Sequence, residues 1–326
     1  MAVPCTIIMA ATVLTALMPP IYCLEETREP SRDPRRHGEN METPRRDLPI
    51  VTSGPFPLNM VDNAVDDMYD GCTEEMKEKV NSTYFNKENV GTFKDAWENA
   101  EKCSNKQKDP EDETLTKNHM KAICAYTSDY KKNPNDKKLY EEFNTAVRTS
   151  KNTYNSTFQF HSLHFWLTTA IQTLNRNNSC NTAYRRTNVA FTGNVNDIIR
   201  FAAFASSSKR KDLTRFGSKT CFKIKTCSGA YLKNYSWFPK EEEVLIPPYE
   251  TFNITNIIEG RGKFPVLKDC EKVFVLESEQ KDVSNLNCAS YLNSKATQLM
   301  REQSFLFFCF LFLLGPFTVL NINVNI

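Results

Sequence analysis

Several familiar chemical signatures are missing from this 326-residue chain. It has no Cys-x-x-Cys pair and only four scattered histidines, so it lacks the donor spacing that holds structural zinc. His161 and His164, three apart on an apolar segment, lack a third ligand nearby and read as core or groove histidines. No Gly-x-Gly-x-x-Gly opens a helix, no Gly-x-Ser-x-Gly elbow occurs, and "GRGKF" at Gly260–Phe264 is too short for a phosphate loop. A formal net charge of +2 leaves no electrostatic footprint for nucleic acid. No internal repeat is visible, and strands do not alternate with helices, which disfavours a parallel nucleotide-binding sheet.

Both ends read as addresses. Residues 1–23 are apolar enough for a secretory signal peptide, although a basic start is missing. Residues 24–56 are rich in Arg, Glu and Pro, a composition that cannot bury enough surface to order itself, and form a flexible leader. Residues 292–326 comprise a polar spacer and a hydrophobic tail. The uncharged part, Phe305–Leu320, is interrupted by Gly315 and Pro316 and is short beside the ~20 apolar residues of a membrane helix. Small residues at Asn293, Ser294 and Ala296 ahead of it fit a glycolipid (GPI) anchor signal, with a plain membrane span as the alternative. Five Asn-x-Ser/Thr acceptors, at Asn81, Asn155, Asn177, Asn234 and Asn253, and eight cysteines in the body point to an oxidising, extracellular compartment.

Between the ends the texture changes once. Val90, Phe93, Trp97 and Ala100 recur at helical steps, as do Leu139, Phe143, Ala146 and Val147, and Leu163, Leu167, Ala170, Ile171 and Leu174; a fourth helix is expected around His119–Tyr126. Beyond Cys180 come short β-branched and aromatic runs: "TAYRRT", "IIRFAAFA", "KTCFKIKTC", "EEEVLIPP", "ETFNITNII" and "EKVFVLES". Helices first and strands afterwards predict an α+β domain, its helical N-terminal half packed on a mostly antiparallel β core. The basic "SKRKD" at Ser208–Asp212 reads as a solvated loop.

The triplet Glu241–Glu243 stands against the apolar "VLIPP". In an extended segment Glu241 and Glu243 share a face ~6.6 Å apart. One such carboxylate can stabilise positive charge that develops in a transition state while the other accepts a proton. An acidic triplet before a strand is also common as a solvated edge, and alone it decides nothing.

Taken together, "AYRRT", "RFAAFASSS" and "KEEEVLIPPYE", supported by "DDMYDGC", "FHSLHFWLTTAIQTLNR" and "NLNCASY", resemble the vertebrate ecto-mono-ADP-ribosyltransferases over residues 57–291. That resemblance implies an ADP-ribosyltransferase fold and an NAD(P)-protein-arginine ADP-ribosyltransferase. Its co-substrate would be NAD, its acceptors arginine-bearing proteins, and its location the cell surface through a membrane anchor or the secreted fraction, with no metal. It implies Arg185, Ser206, Glu241 and Glu243 as catalytic residues, with Arg185, Ser206 and Glu243 also holding NAD. Glu243 would stabilise the oxocarbenium-like ribose, Glu241 would orient and deprotonate the guanidinium, Arg185 would pair with pyrophosphate or ribose, and Ser206 would hold the site in shape. Bridges Cys72–Cys288 and Cys180–Cys227 are implied as well; the pairing of Cys103, Cys124, Cys221 and Cys270 stays open. Two departures stand out, Arg186 in place of a glycine and Ala202-Ala203 in place of Gly-Gln. They keep two alternatives in view, an NAD glycohydrolase and a catalytically impaired surface binding protein of the same fold.

Overall fold

Four helices form where the periodicity places them. In the computed structural model, which describes residues 54–314, they are α3 (Gly91–Asn99), α4 (Lys117–Thr127), α5 (Leu139–Thr149) and α6 (His161–Leu174). They follow β1 (Phe56–Pro57), α1 (Thr73–Lys79) and α2 (Phe85–Glu88), the last two joined by a π-type turn at Val80–Tyr84. The expected signal peptide, the expected leader as far as residue 53 and residues 315–326 lie outside the described residues. Phe56, the leader's last residue by composition, is already paired, in parallel, with Phe191.

Each helix is set by its apolar face. Leu139, Tyr140, Phe143 and Val147 bury one stripe of α5, whereas α6 is buried from His161 through Ile171 and so forms the centre of the helical layer. Trp166 of α6 stacks on Trp97 of α3 with centroids 4.7 Å apart. Thr116 caps α4, its Oγ1 accepting from the His119 N–H at 3.2 Å.

Then come β2 (Asn181–Thr187), β3 (Phe191–Thr192), β4 (Ile198–Ile199), β5 (Ala205–Ser208), β6 (Thr220–Thr226), β7 (Ala230–Tyr231), β8 (Glu243–Ile246), β9 (Phe252–Glu259) and β10 (Lys272–Ser278). Apart from β3, which pairs with β1, they make one eight-stranded sheet in the order β4-β9-β10-β6-β2-β5-β8-β7, antiparallel throughout except for β10 against β6. The α+β architecture with a mostly antiparallel core is therefore the one expected. A second core, around Phe222, Phe252 and Phe274, fills one side of the sheet. The helical core reaches the strands through Phe204 and Leu245.

One run departs from the strand reading. "IIRFAAFA" is broken between β4 and β5 at Ala202, whose φ of 54° lies in the left-handed region that suits glycine. Its tertiary contacts hold it there. Arg200, fully buried, donates to Asp66 at 2.6 Å and to the Val283 and Val61 carbonyls at 3.1 and 3.2 Å. Phe204 stacks on Phe143 at 5.4 Å, and its carbonyl accepts from the Tyr126 hydroxyl at 2.7 Å. The chain that enters Ser206 is thus gripped by both the N-terminal segment and the helical layer.

All eight body cysteines pair: Cys72–Cys288 and Cys180–Cys227, as the resemblance implies, together with Cys103–Cys124 and Cys221–Cys270. Four of the five glycosylation acceptors are exposed, whereas Asn253 is half-buried within β9 with its Oδ1 sequestered, so the sequence pattern overstates that site. Beyond residue 289 the chain continues as α7 (Ala289–Leu314), and among the described residues no helix is long and apolar enough to cross a membrane.

The two α6 histidines serve the core. His161 bonds Glu88 at 2.9 Å and the Tyr154 carbonyl at 2.8 Å; His164 bonds the Tyr69 hydroxyl at 2.7 Å. Burial pushes His164 down to about 3 and His119 down to about 4 from the ordinary 6.5, and raises Asp67 to about 6 from 3.8. Below pH 6.5 the unfolded imidazoles take up protons that the folded ones refuse, so stability drains away between pH 6.5 and 3; Asp67 acts oppositely but over a smaller shift than His164. The expected result is a melting temperature that falls from pH 7 to pH 4.5. In His164→Asn that decline should be visibly shallower, measured by thermal denaturation across the range.

Candidate active site

Glu241 and Glu243 do share a space, but strand alternation is not the cause. Glu241 closes a 3-10 turn, Pro239–Glu241, Glu242 takes a left-handed conformation at φ 48°, and only Glu243 begins β8. The turn, and not a pleat, aims both carboxylates into one cleft. Both are buried.

The turn is clasped from β5 and the loop after it. The Ser208 hydroxyl donates to the Glu241 carbonyl, the Lys209 N–H donates to the Glu242 carbonyl at 3.0 Å, and Arg210 donates to the Lys240 carbonyl at 2.9 Å while pairing with Asp212. The basic "SKRKD" stretch, expected as a solvated loop, is in part this clasp.

The cleft, about 460 Å³ of space that is partly open to solvent, is lined by all four residues that the sequence singles out, Arg185, Ser206, Glu241 and Glu243. It opens where β2 and β5 diverge, since the two strands pair only at Tyr184 and Ser208. Arg185 reaches across this gap to the Ser206 carbonyl. It also lines a neighbouring cleft of about 510 Å³, bordered by Arg148, Phe201, Phe204 and Phe222. Phe204 and Phe222 belong to the two cores as well, so packing and cleft wall are one task for them.

Three partners are not legible in the sequence. Ser236, fully buried, donates its hydroxyl to the Glu243 carboxylate at 3.0 Å. Arg148, in the last turn of α5, looks in sequence like any polar-face residue. Arg215 places Nη2 at 2.8 Å from Glu241 Oε1.

Arg186 also lines the main cleft, with its guanidinium tied down: Nη1 and Nη2 donate to Asp269 at 2.6 and 3.0 Å, and Nη2 donates to the Lys211 carbonyl at 2.7 Å. The hydrogen bond from Arg186 holds the Asp269 carboxyl below its usual range. Elsewhere Asp109, Glu111 and Asp112 converge as metal ligands might, but the Lys233 ammonium sits among them at 3.1, 2.8 and 2.7 Å.

A sheet that splays beside an arginine, with two buried carboxylates at the same cleft, offers a cation for an anionic group and negative charge for a developing cation. Residues 58–272 match the family model described as NAD:arginine ADP-ribosyltransferase, and the chain belongs to that family. It is 36% identical over 259 residues to ecto-ADP-ribosyltransferase 5 of Bos taurus, which covers 73% of this chain and 75% of that protein. Against the erythroblast NAD(P)(+)–arginine ADP-ribosyltransferase of Gallus gallus the figures are 33%, 63% and 69%. The solved eucaryotic mono-ADP-ribosyltransferase ART2.2 superposes with a TM-score of 0.59 at 33% identity, covering 72% of this chain and 99% of that one. A mutant of that enzyme in complex with NAD gives a TM-score of 0.57 at 32% identity, with the same coverage.

Proposed function

We infer that the protein is a mono-ADP-ribosyltransferase that moves ADP-ribose from NAD to arginine side chains of extracellular or surface proteins and releases nicotinamide. The observation that carries the reading is the meeting of Glu241, Glu243, Arg185 and Ser206 at one cleft in a chain of this family.

In the proposed roles NAD lies across the two clefts that meet at Arg185, with its diphosphate near that guanidinium and Arg148 on the far wall. The bond between ribose C1′ and nicotinamide breaks, and nicotinamide leaves with the electron pair. Positive charge then gathers on the ribose, and Glu243, fixed by Ser236, faces it as a buried counter-charge. Glu241 orients the incoming guanidinium and takes its proton, because a protonated guanidinium has no lone pair to offer. Ser206 accepts from Arg185 through its backbone carbonyl and so helps to hold the site in shape.

An extracellular or surface setting agrees with four disulfides and four exposed glycosylation acceptors. Attachment by a glycolipid near Asn293–Ala296 is the finer reading and is supported by the small residues there.

Labelled NAD and agmatine incubated with the purified protein test the function. An ADP-ribosyl-agmatine conjugate is expected. Free ADP-ribose alone would point to hydrolysis, and unconsumed NAD to a binding protein.

A further inference from the structure

The rim of the cleft is more basic than the chain's formal net charge of +2 suggests, and the use found for it rests on the transferase reading. Lys209 and Lys211 flank the lining residue Arg210, Lys240 precedes the lining residue Glu241, and all three lysines are exposed. Two carboxylates beside them are spent, Asp212 on Arg210 and Asp269 on Arg186, each at 2.6 Å. In segments 208–216 and 239–243 that leaves Glu242 as the exposed carboxylate without an arginine, against three lysines. Among the described residues none of the three makes an ion pair.

Their backbones are fixed at the site. The Lys209 N–H donates to the Glu242 carbonyl at 3.0 Å, the Lys211 carbonyl accepts from Arg186 at 2.7 Å, and the Lys240 carbonyl accepts from Arg210 at 2.9 Å. The Lys209 ammonium lies over the Tyr231 ring, 3.9 Å from its centroid. A fourth cation joins them during the proposed reaction. Arg215 places Nη2 2.8 Å from Glu241 Oε1, but its side chain is 40% exposed, and a pair so open to water is weakly held. An acceptor guanidinium that takes Glu241 displaces Arg215 and leaves it without its anion.

This charge works against a bare acceptor. A guanidinium arrives protonated and must approach a rim of its own sign, which slows encounter, whereas carboxylates beside it turn that repulsion into attraction. An extended chain advances ~3.3 Å per residue, so carboxylates up to three residues away stay within ~10 Å of the acceptor arginine. We propose that the rim selects the acceptor: the enzyme prefers arginines with Asp or Glu within about three residues, and Lys209, Lys211 and Lys240 pair with those carboxylates while the arginine occupies Glu241.

The test uses two peptides, each with one central arginine, flanked by Asp and Glu in one and by Ser and Gln in the other. Each is given to the purified protein with NAD, and the conjugates are quantified by mass spectrometry. At about 0.05 M salt kcat/KM should be about three- to tenfold higher for the acidic peptide, the scale of two or three exposed ion pairs, and near 0.5 M salt the two should converge. In Lys211→Gln/Lys240→Gln the low-salt ratio should fall below about two, the neutral peptide serving as the check that this variant is folded. Equal kcat/KM for the two peptides, a preference for the neutral one, a ratio indifferent to salt, or a double variant that raises the KM for NAD and leaves the ratio unaltered would overturn this proposal and leave the transferase reading intact. Absence of conjugate on both peptides and on agmatine would overturn both.

Discussion

Glu243→Gln is expected to slow ADP-ribosyl transfer by at least about 10²- to 10³-fold while the protein stays folded. Glu243 is 2% exposed and begins β8, so the strand and the Ser236 hydroxyl fix where its charge sits. A preorganised charge aimed at developing charge is the kind of interaction whose loss costs that much, because it acts in the transition state far more than in the ground state. Glutamine keeps the shape and an oxygen for Ser236 and removes only the charge. NAD affinity, read by titration calorimetry, should therefore change much less than kcat. A variant with a rate within tenfold of the parent would show that the counter-charge comes from elsewhere.

The second large effect is on stability. Asp66 and Arg200 are both fully buried and 2.6 Å apart. Asp66 also accepts from the Leu286 N–H at 3.0 Å and from Asn285 at 2.9 Å, so the pair joins three segments distant in sequence. Removal of one partner strands an uncompensated charge without water, at a cost of about 3–5 kcal/mol. Asp66→Ala should lower the melting temperature by on the order of 10 °C. Because Arg200 stands five residues ahead of Ala205 in the chain entering β5, the cleft should loosen before the whole fold does, with activity lost below the main transition. A melting shift under about 2 °C would mean that water reaches the orphaned guanidinium.

The range of each signal decides whether it is legible in the chain. Helices α3 and α5 can be read because one face is buried at the helical period, α6 because its apolar residues recur at helical steps although burial runs all round it, and strands β6, β9 and β10 because they are short runs rich in β-branched and aromatic residues. The α1–α2 segment cannot: its buried apolar residues are Met76 and Val80, and the π turn between the helices shifts the period. Within "IIRFAAFA" the left-handed Ala202 is invisible because alanine carries no mark of the backbone imposed on it. The four residues singled out do meet at one cleft, yet strand alternation does not bring the glutamates together. Their proximity comes from a turn at Glu242 and from contacts of Ser208, Lys209 and Arg210 that close over roughly 30 residues of chain. Ser236 and Arg215 escape a sequence reading for the same reason, since neither has a local pattern that pairs it with a glutamate in another loop.

The measurement that bears most directly on the central claim is product analysis of the parent, Glu241→Gln and Glu243→Gln, each given NAD and agmatine. The parent should yield ADP-ribosyl-agmatine and nicotinamide in step. Glu241→Gln should still release nicotinamide but mostly as free ADP-ribose, because water needs no deprotonated guanidine, and Glu243→Gln should release almost none. If both variants made conjugate at the parental ratio and rate, the two carboxylates would not be the acceptor base and the counter-charge, and the cleft between β2 and β5 would not be where the bond is broken.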